Sequence, residues 1–186
     1  SITYDRRNSS FQPSEGYVSK WVQGLPVYAD GSPIINGYEI TAYKKLMDDM
    51  VFSFGFYSRA INSLSDEDVR VSKRLYMPSS RLRGFEYGKV GPKDGNDFVG
   101  GNYLSSINVS STVPYLLETN ENADIKVFFD AANVWGVDYS SSINESNNLV
   151  VLHADINASH GNVINVLDLL RSIDGLKIAI STKPID

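Results

Sequence analysis

Cysteine is absent from this chain, which removes disulfide frameworks and thiolate metal sites together. Histidine is scarce: His153 and His160 are the only two. They fall on different expected elements with no third ligand beside them, so each reads as an ordinary satisfied histidine. No apolar run approaches the ~18 to 20 residues of a membrane-spanning helix, which excludes a helical membrane protein. A transmembrane β-barrel stays open, because its strands need only ~9 to 11 residues of alternating polarity. A basic stripe is also missing: net charge is -5 and the isoelectric point near 5.0, so nucleic acid is not an expected partner. The chain starts at Ser1 and shows no signal-peptide pattern, from which we expect a piece of a longer protein. Aromatics are absent from residues 149–186, although the residues before them hold all eleven Tyr, eight Phe and both Trp.

What is present is ordinary for a folded chain, 42% hydrophobic and 21% charged, and its pattern is strongly period-two. In "GNYLSSINVSSTV", Tyr103, Ile107, Val109 and Val113 share one parity and Ser106, Asn108, Ser110 and Thr112 the other. "ADIKVFFDAANVW" sets Ile125, Val127, Phe129 and Ala131 against Lys126, Phe128, Asp130 and Ala132. "VFSFGFYSRAIN" opposes Phe52, Phe54 and Phe56 to Ser53, Gly55, Tyr57 and Arg59, and "GYEITAYKK" opposes Tyr38, Ile40 and Ala42 to Glu39, Thr41, Tyr43 and Lys45. Each reads as a strand with one greasy and one wet face. A fifth strand is expected in "GYVSKWVQGLPVY", with less regular parity. Short turns and one long glycine-rich connection over residues 65–100 make an antiparallel meander. That fits a soluble sandwich or a sector of a barrel. The wet face carries Glu39, Lys45, Arg59, Asn108 and Asp130, which suits a hydrated lumen, and Tyr and Trp gather toward strand ends as an interfacial girdle requires.

After residue 148 the pattern changes. "LVVLHAD" reads as a buried strand and "LKIAIST" as a second, parallel to it. Between them "SHGNVINVLDLLRSIDG" places Val163, Val166, Leu167, Leu170 and Ile173 at helical spacing, with Ser159 as N-cap and Gly175 as stop.

The motifs for chemistry are weak. "GFEYGKV" misses the phosphate-loop spacing by one residue and ends in Val90 instead of a hydroxyl. "DGND" at 94–97 lacks the alternating ligands and closing Glu of a calcium loop. No nucleophile–base pair or carboxylate pair can be assembled, so we expect no enzyme, no metal and no cofactor. "RLRGF" offers something mechanical: Arg83 is a permanently charged fork, Gly84 permits a sharp turn and Phe85 is an apolar plug. Folded back into a lumen, Arg83 needs a carboxylate, and Asp130 on the wet parity is the natural candidate; in a flexible surface loop it needs none.

Taken in order, these segments resemble the barrel-assembly family of outer-membrane proteins, BamA and its relatives. "ITYDRRNSSFQPSEGY" is similar to the family's T-Y-D-x-R-x-x-x-F-x-P-x-x-G-Y strand and turn. "LRGF" is similar to the tip of its long sixth extracellular loop, "GKVGPKDGNDFVGGN" to the rest of that loop, and "FFDAANVWG" to its F-x-D-x-G strand motif. The resemblance covers residues 1–147 and implies a mainly β fold: an antiparallel meander that is a sector of a transmembrane β-barrel. It implies outer-membrane localisation, as in bacterial surface antigens, and a role in inserting other β-barrel proteins. Partners would be outer-membrane lipid, nascent outer-membrane proteins and assembly lipoproteins. Carried onto this sequence, Arg83, Gly84 and Phe85 are the loop tip, and Phe128 and Asp130 the lumen strand motif. Ala132 departs from the family's Gly, and Ser110 stands where relatives can carry a second acid. The resemblance accounts for about six strands, too few to close a barrel, and for none of the periplasmic modules.

Residues 149–186 resemble a different family, the periplasmic C-terminal part of ExbD and TolR, through "LVVLHAD", "HGNV", "DLL" and "TKP". That would make the tail a periplasmic strand-helix-strand unit, and the chain a fusion or chimera joined near Asn147 and Asn148. Energy transduction in biopolymer transport is therefore an alternative function, and a soluble β-sandwich binding module a third.

Overall fold

A computed structural model describes residues 1–26, 33–47, 50–64, 68–113 and 125–137 and, as backbone, 149–152 and 177–180. The strands are β1 (Ile2–Asp5), β2 (Gly16–Gly24), β3 (Ile34–Met47), β4 (Met50–Asn62), β5 (Lys93–Asp94), β6 (Asp97–Phe98), β7 (Tyr103–Val113), β8 (Ile125–Trp135), β9 (Leu149–Leu152) and β10 (Lys177–Ile180). Eight of them form one sheet in the order β1-β2-β3-β4-β7-β8-β9-β10, while β5 and β6 pair separately. Neighbours in the large sheet are antiparallel except β9 and β10, which run parallel.

This is a mainly β, antiparallel meander whose edges do not close on each other. The four strands β3, β4, β7 and β8 are 14, 13, 11 and 11 residues long, long enough to cross the hydrocarbon of a bilayer, for which ~9 to 11 tilted residues suffice.

Register fixes which side chains share a face. Phe54 pairs with Ala42 and Val109, and Phe56 with Ile40 and Ile107, so the alternating phenylalanines lie beside aliphatic neighbours on one surface. Ile2, Tyr4, Tyr17, Trp21, Tyr38, Phe54, Ile107 and Trp135 all fall on it, and all are exposed. So many large apolar side chains exposed on one face are what water-soluble monomers avoid and lipid-facing sheets present. Near the end from which the long connection leaves, Tyr103 stacks on Trp135 with ring centres 6.0 Å apart, and Trp21 lies opposite Tyr38.

The other face carries Glu39, Thr41, Tyr57, Arg59, Asn108 and Asp130, and the connection from β4 to β7 folds back over it. Met77, Leu82 and Val90 of that connection pack with Leu104 of β7 and Ala132 and Val134 of β8, and Leu75, Phe85 and Tyr57 rest against them. Full burial of a Leu or Val contributes ~1.5–3 kcal/mol, so the loop is held by a small core of its own. Backbone bonds seal its root: Ile61 N–H donates to Asn102 O at 2.8 Å, and Leu75 and Gly101 exchange bonds of 2.8 and 3.0 Å. Within it, "DGND" is a hairpin. Asp94 pairs with Asp97 across Gly95 and Asn96, and Gly95 takes the positive φ of 59° that such two-residue turns demand.

β9 hydrogen-bonds to β8, with Asp130 opposite Val151 and Ala131 opposite Val150. The sheet therefore continues past the boundary expected at residue 147. The helix expected over 159–175 lies outside the described residues.

Candidate functional site

β8 presents Phe128 and Asp130 on the loop side because residues two apart in a strand share a face. β7 sets Asn108 directly opposite Asp130. The loop reaches this point through Pro78 and a tight turn, in which the Arg81 N–H donates to Pro78 O at 2.9 Å. It leaves through Gly84, whose φ of 83° lies in the left-handed region that glycine enters without a Cβ penalty.

Between these approaches, Arg83 clasps Asp130 with both arms. Its Nε donates to Asp130 Oδ2 at 2.7 Å and its Nη2 to Oδ1 at 2.6 Å, and the Arg83 backbone N–H adds a bond to Oδ2 at 3.1 Å. The Asn108 amide supplies a further donor to Oδ1 at 2.8 Å. Asp130 is 3% exposed, so a carboxylate taken from water has its lost hydration replaced by a fork and two amides. Below the guanidinium lies the Phe128 ring, 3.6 Å from Arg83 Cζ to the ring centre, where the negative face of the ring attracts the cation. Phe85 packs against the apolar cluster of the loop. The structure thus brings Arg83, Phe128 and Asp130 together, and uses Gly84 and Phe85 to turn and seat the loop.

Ser110 shares the loop-side face with Asn108. Its hydroxyl is 2.7 Å from that of Ser53 on β4, and it pairs with Phe128 across the ladder. Ala132, where a glycine was the expected residue, is buried in the loop core.

Reading the sequence did not single out Asn108 as a site residue. Its side-chain amide donates both to Asp130 and, at 2.7 Å, to the Arg81 carbonyl, so it joins strand to loop. Its place opposite Asp130 follows from the β7–β8 register, and that register was the available signal. Arg81, Glu39 and Tyr57 were also missed: Arg81 Nη2 donates to Glu39 Oε2 at 2.8 Å, and its guanidinium lies 4.6 Å from the Tyr57 ring centre.

The arrangement can hold a loop against a wall. It has no nucleophile paired with a base, and among the described residues no group of three His, Cys, Asp or Glu is placed to hold a metal ion.

Comparison with known proteins bears on the family and the fold. Residues 1–167 match the Omp85 superfamily domain, a match that runs twenty residues past the expected boundary at 147. The chain is 34% identical over 104 residues to the sorting and assembly machinery component 50 homolog of Homo sapiens, a stretch covering 54% of this chain and 22% of that protein. To the Bos taurus homolog of the same name it is 33% identical over 105 residues, again 54% and 22%. The chain thus spans about a fifth of the length of these curated relatives. Among solved structures, BamA from Haemophilus ducreyi lacking POTRA domains 1–3 superposes with a TM-score of 0.62 at 22% identity, covering 72% of this chain and 29% of that one.

Proposed function

The chain belongs to the Omp85 superfamily, and on that premise we propose that it is the loop-bearing sector of a factor that inserts β-barrel proteins into an outer membrane. The names of its relatives, a sorting and assembly machinery component in mammals and BamA in a bacterium, support that reading, as does the apolar face suited to lipid. Its partners in this proposal are outer-membrane lipid and unfolded β-barrel chains, with accessory assembly lipoproteins in a bacterial setting. Its role is mechanical and involves no covalent chemistry.

The observation that carries the proposal is the bidentate contact of Arg83 with the buried carboxylate of Asp130. It pins the loop tip to the wall formed by β7 and β8, so the loop becomes part of the lumen surface past which a client strand would be handled. The test is insertion of an unfolded β-barrel client into vesicles by the full barrel containing this segment. Arg83→Gln and Asp130→Asn should each slow insertion while leaving the barrel folded. Parent-like insertion by both variants would remove the anchor from the mechanism, and a parent barrel that inserts nothing would remove assembly itself.

For residues 149–186, the parallel pairing of β9 and β10 is the arrangement expected of the strand-helix-strand unit, and an energy-transducing identity has otherwise only its sequence pattern in support. The family match through residue 167 and the pairing of β9 with β8 favour a tail whose first strand extends the sheet of the barrel sector.

A further inference from the structure

The tip carries a second arginine, and it reaches the other way across the wall. Arg81 pairs with Glu39 of β3 at 2.8 Å and lies over the Tyr57 ring of β4. The same ring also carries Arg59, 4.7 Å from Cζ to its centre. Glu39 and Tyr57 are opposite each other in the ladder, so the carboxylate and the ring form one platform. Gly37 makes room beside it: a Cβ at that position would collide with the Arg59 guanidinium. Through Asn108, which donates to the Arg81 carbonyl and to Asp130, this platform is connected to the Arg83 contact. Arg-Leu-Arg is thereby fastened to β3, β4, β7 and β8, with Leu82 buried between the two charges.

We propose that Arg81 and Glu39 form a second tie that sets the loop's position, making Arg81 a positioning residue for the Arg83 anchor. The proposal rests on the anchoring reading above and deepens it. The loop core and the Arg83 anchor hold the loop mainly against β7 and β8. A tie on β3, three strand spacings or ~14 Å from β8, fixes the tip on the far side of the wall as well. The two ties differ in character. Arg81 and Glu39 side chains are 27% and 25% exposed, so their attraction is screened by salt, whereas Asp130 is sealed from solvent. The second tie is the adjustable one.

The experiment uses the full barrel in vesicles with a cysteine in place of Met77, a buried loop residue, and no other cysteine; this segment contributes none. Labelling by a water-soluble maleimide reports lifting of the loop. Arg81→Gln and Glu39→Gln should each raise the labelling rate roughly fivefold at low salt, the ratio expected for ~1 kcal/mol of lost tethering. The exchanged pair Glu39→Arg with Arg81→Glu should label more slowly than either single variant. High salt should speed labelling of the parent and leave Arg81→Gln unchanged. Parent-like labelling of Arg81→Gln in a barrel whose strand circular dichroism matches the parent overturns the tie, as does an exchanged pair no better protected than the single variants. Labelling needs no assembly activity, so a parent that responds as expected yet inserts no client upholds the tie and sinks the assembly reading.

Discussion

Arg83 and Asp130 share a bidentate contact but not a common environment: the carboxylate is 3% exposed and the arginine side chain 38%. The two halves of the pair should therefore not cost the same to remove. Without Arg83, a buried carboxylate keeps only the Asn108 and backbone donors. Without Asp130, the arginine can turn to water. Breaking a fully buried pair costs about 3–5 kcal/mol, and exposure of the arginine reduces that. We expect Arg83→Met to lower the unfolding free energy of the full barrel by about 2–3 kcal/mol and Asp130→Asn by about 1 kcal/mol. The double variant should be less destabilised than Arg83→Met. Urea titration of the lipid-inserted barrel measures all three, and equal losses for the two single variants would contradict the burial argument.

The Phe128 ring adds a separable contribution. Phe128→Leu keeps an apolar side chain over the same spot but removes the ring quadrupole under Arg83. A double-mutant cycle of Phe128→Leu with Arg83→Met should return a coupling of about 0.5–1 kcal/mol. A coupling near zero would mean that the ring is only filling space.

Asn108 makes a prediction about charge. Its amide is a donor to two acceptors, so Asn108→Ala should cost about 1–2 kcal/mol. Asn108→Asp keeps the shape but puts a second carboxylate directly opposite Asp130, where like charges repel. It should therefore be the more destabilising of the two, and adding Asp130→Asn to it should recover part of the loss. If Asn108→Asp proves the milder single variant in the same titration, the amide is not acting as a donor to Asp130.

How much of this was legible in sequence depended on the range of the signal. Period-two alternation put Phe52, Phe54 and Phe56 on one face and Asp130 and Asn108 on the other, and register confirms those sides because alternation is a property of the strand itself. The weaker parity of "GYVSKWVQG" also has a visible reason: Val18, Lys20 and Val22 share the loop side, so apolar and charged residues mix on one face of β2. Arg81 and Glu39 lie 42 residues apart, and no local pattern links a loop position to a strand level. That contact depends on where the β4–β7 connection folds back, which the burial of Met77, Leu82 and Val90 decides. The tail shows both ranges at once: its two strands pair in parallel as their local pattern suggested, whereas the pairing of β9 with β8 is a relation that periodicity cannot carry.

The last prediction concerns the apolar face, whose meaning depends on depth. Along β7, Ile107 sits near the middle of the ladder and Ser111 near the end away from the long loop, on the same face. In a bilayer, a lysine at the midplane costs ~2–4 kcal/mol and one near the interface ~0–1 kcal/mol. Ile107→Lys should therefore destabilise the lipid-inserted barrel several-fold more than Ser111→Lys. Thr41→Lys, on the hydrated loop side opposite Gly55, should cost about 1 kcal/mol or less. A soluble sandwich would bury this face under a second sheet and would have no reason to follow bilayer depth. Equal penalties at 107 and 111, or a monomer stable in water without detergent, would place the face against protein instead of lipid.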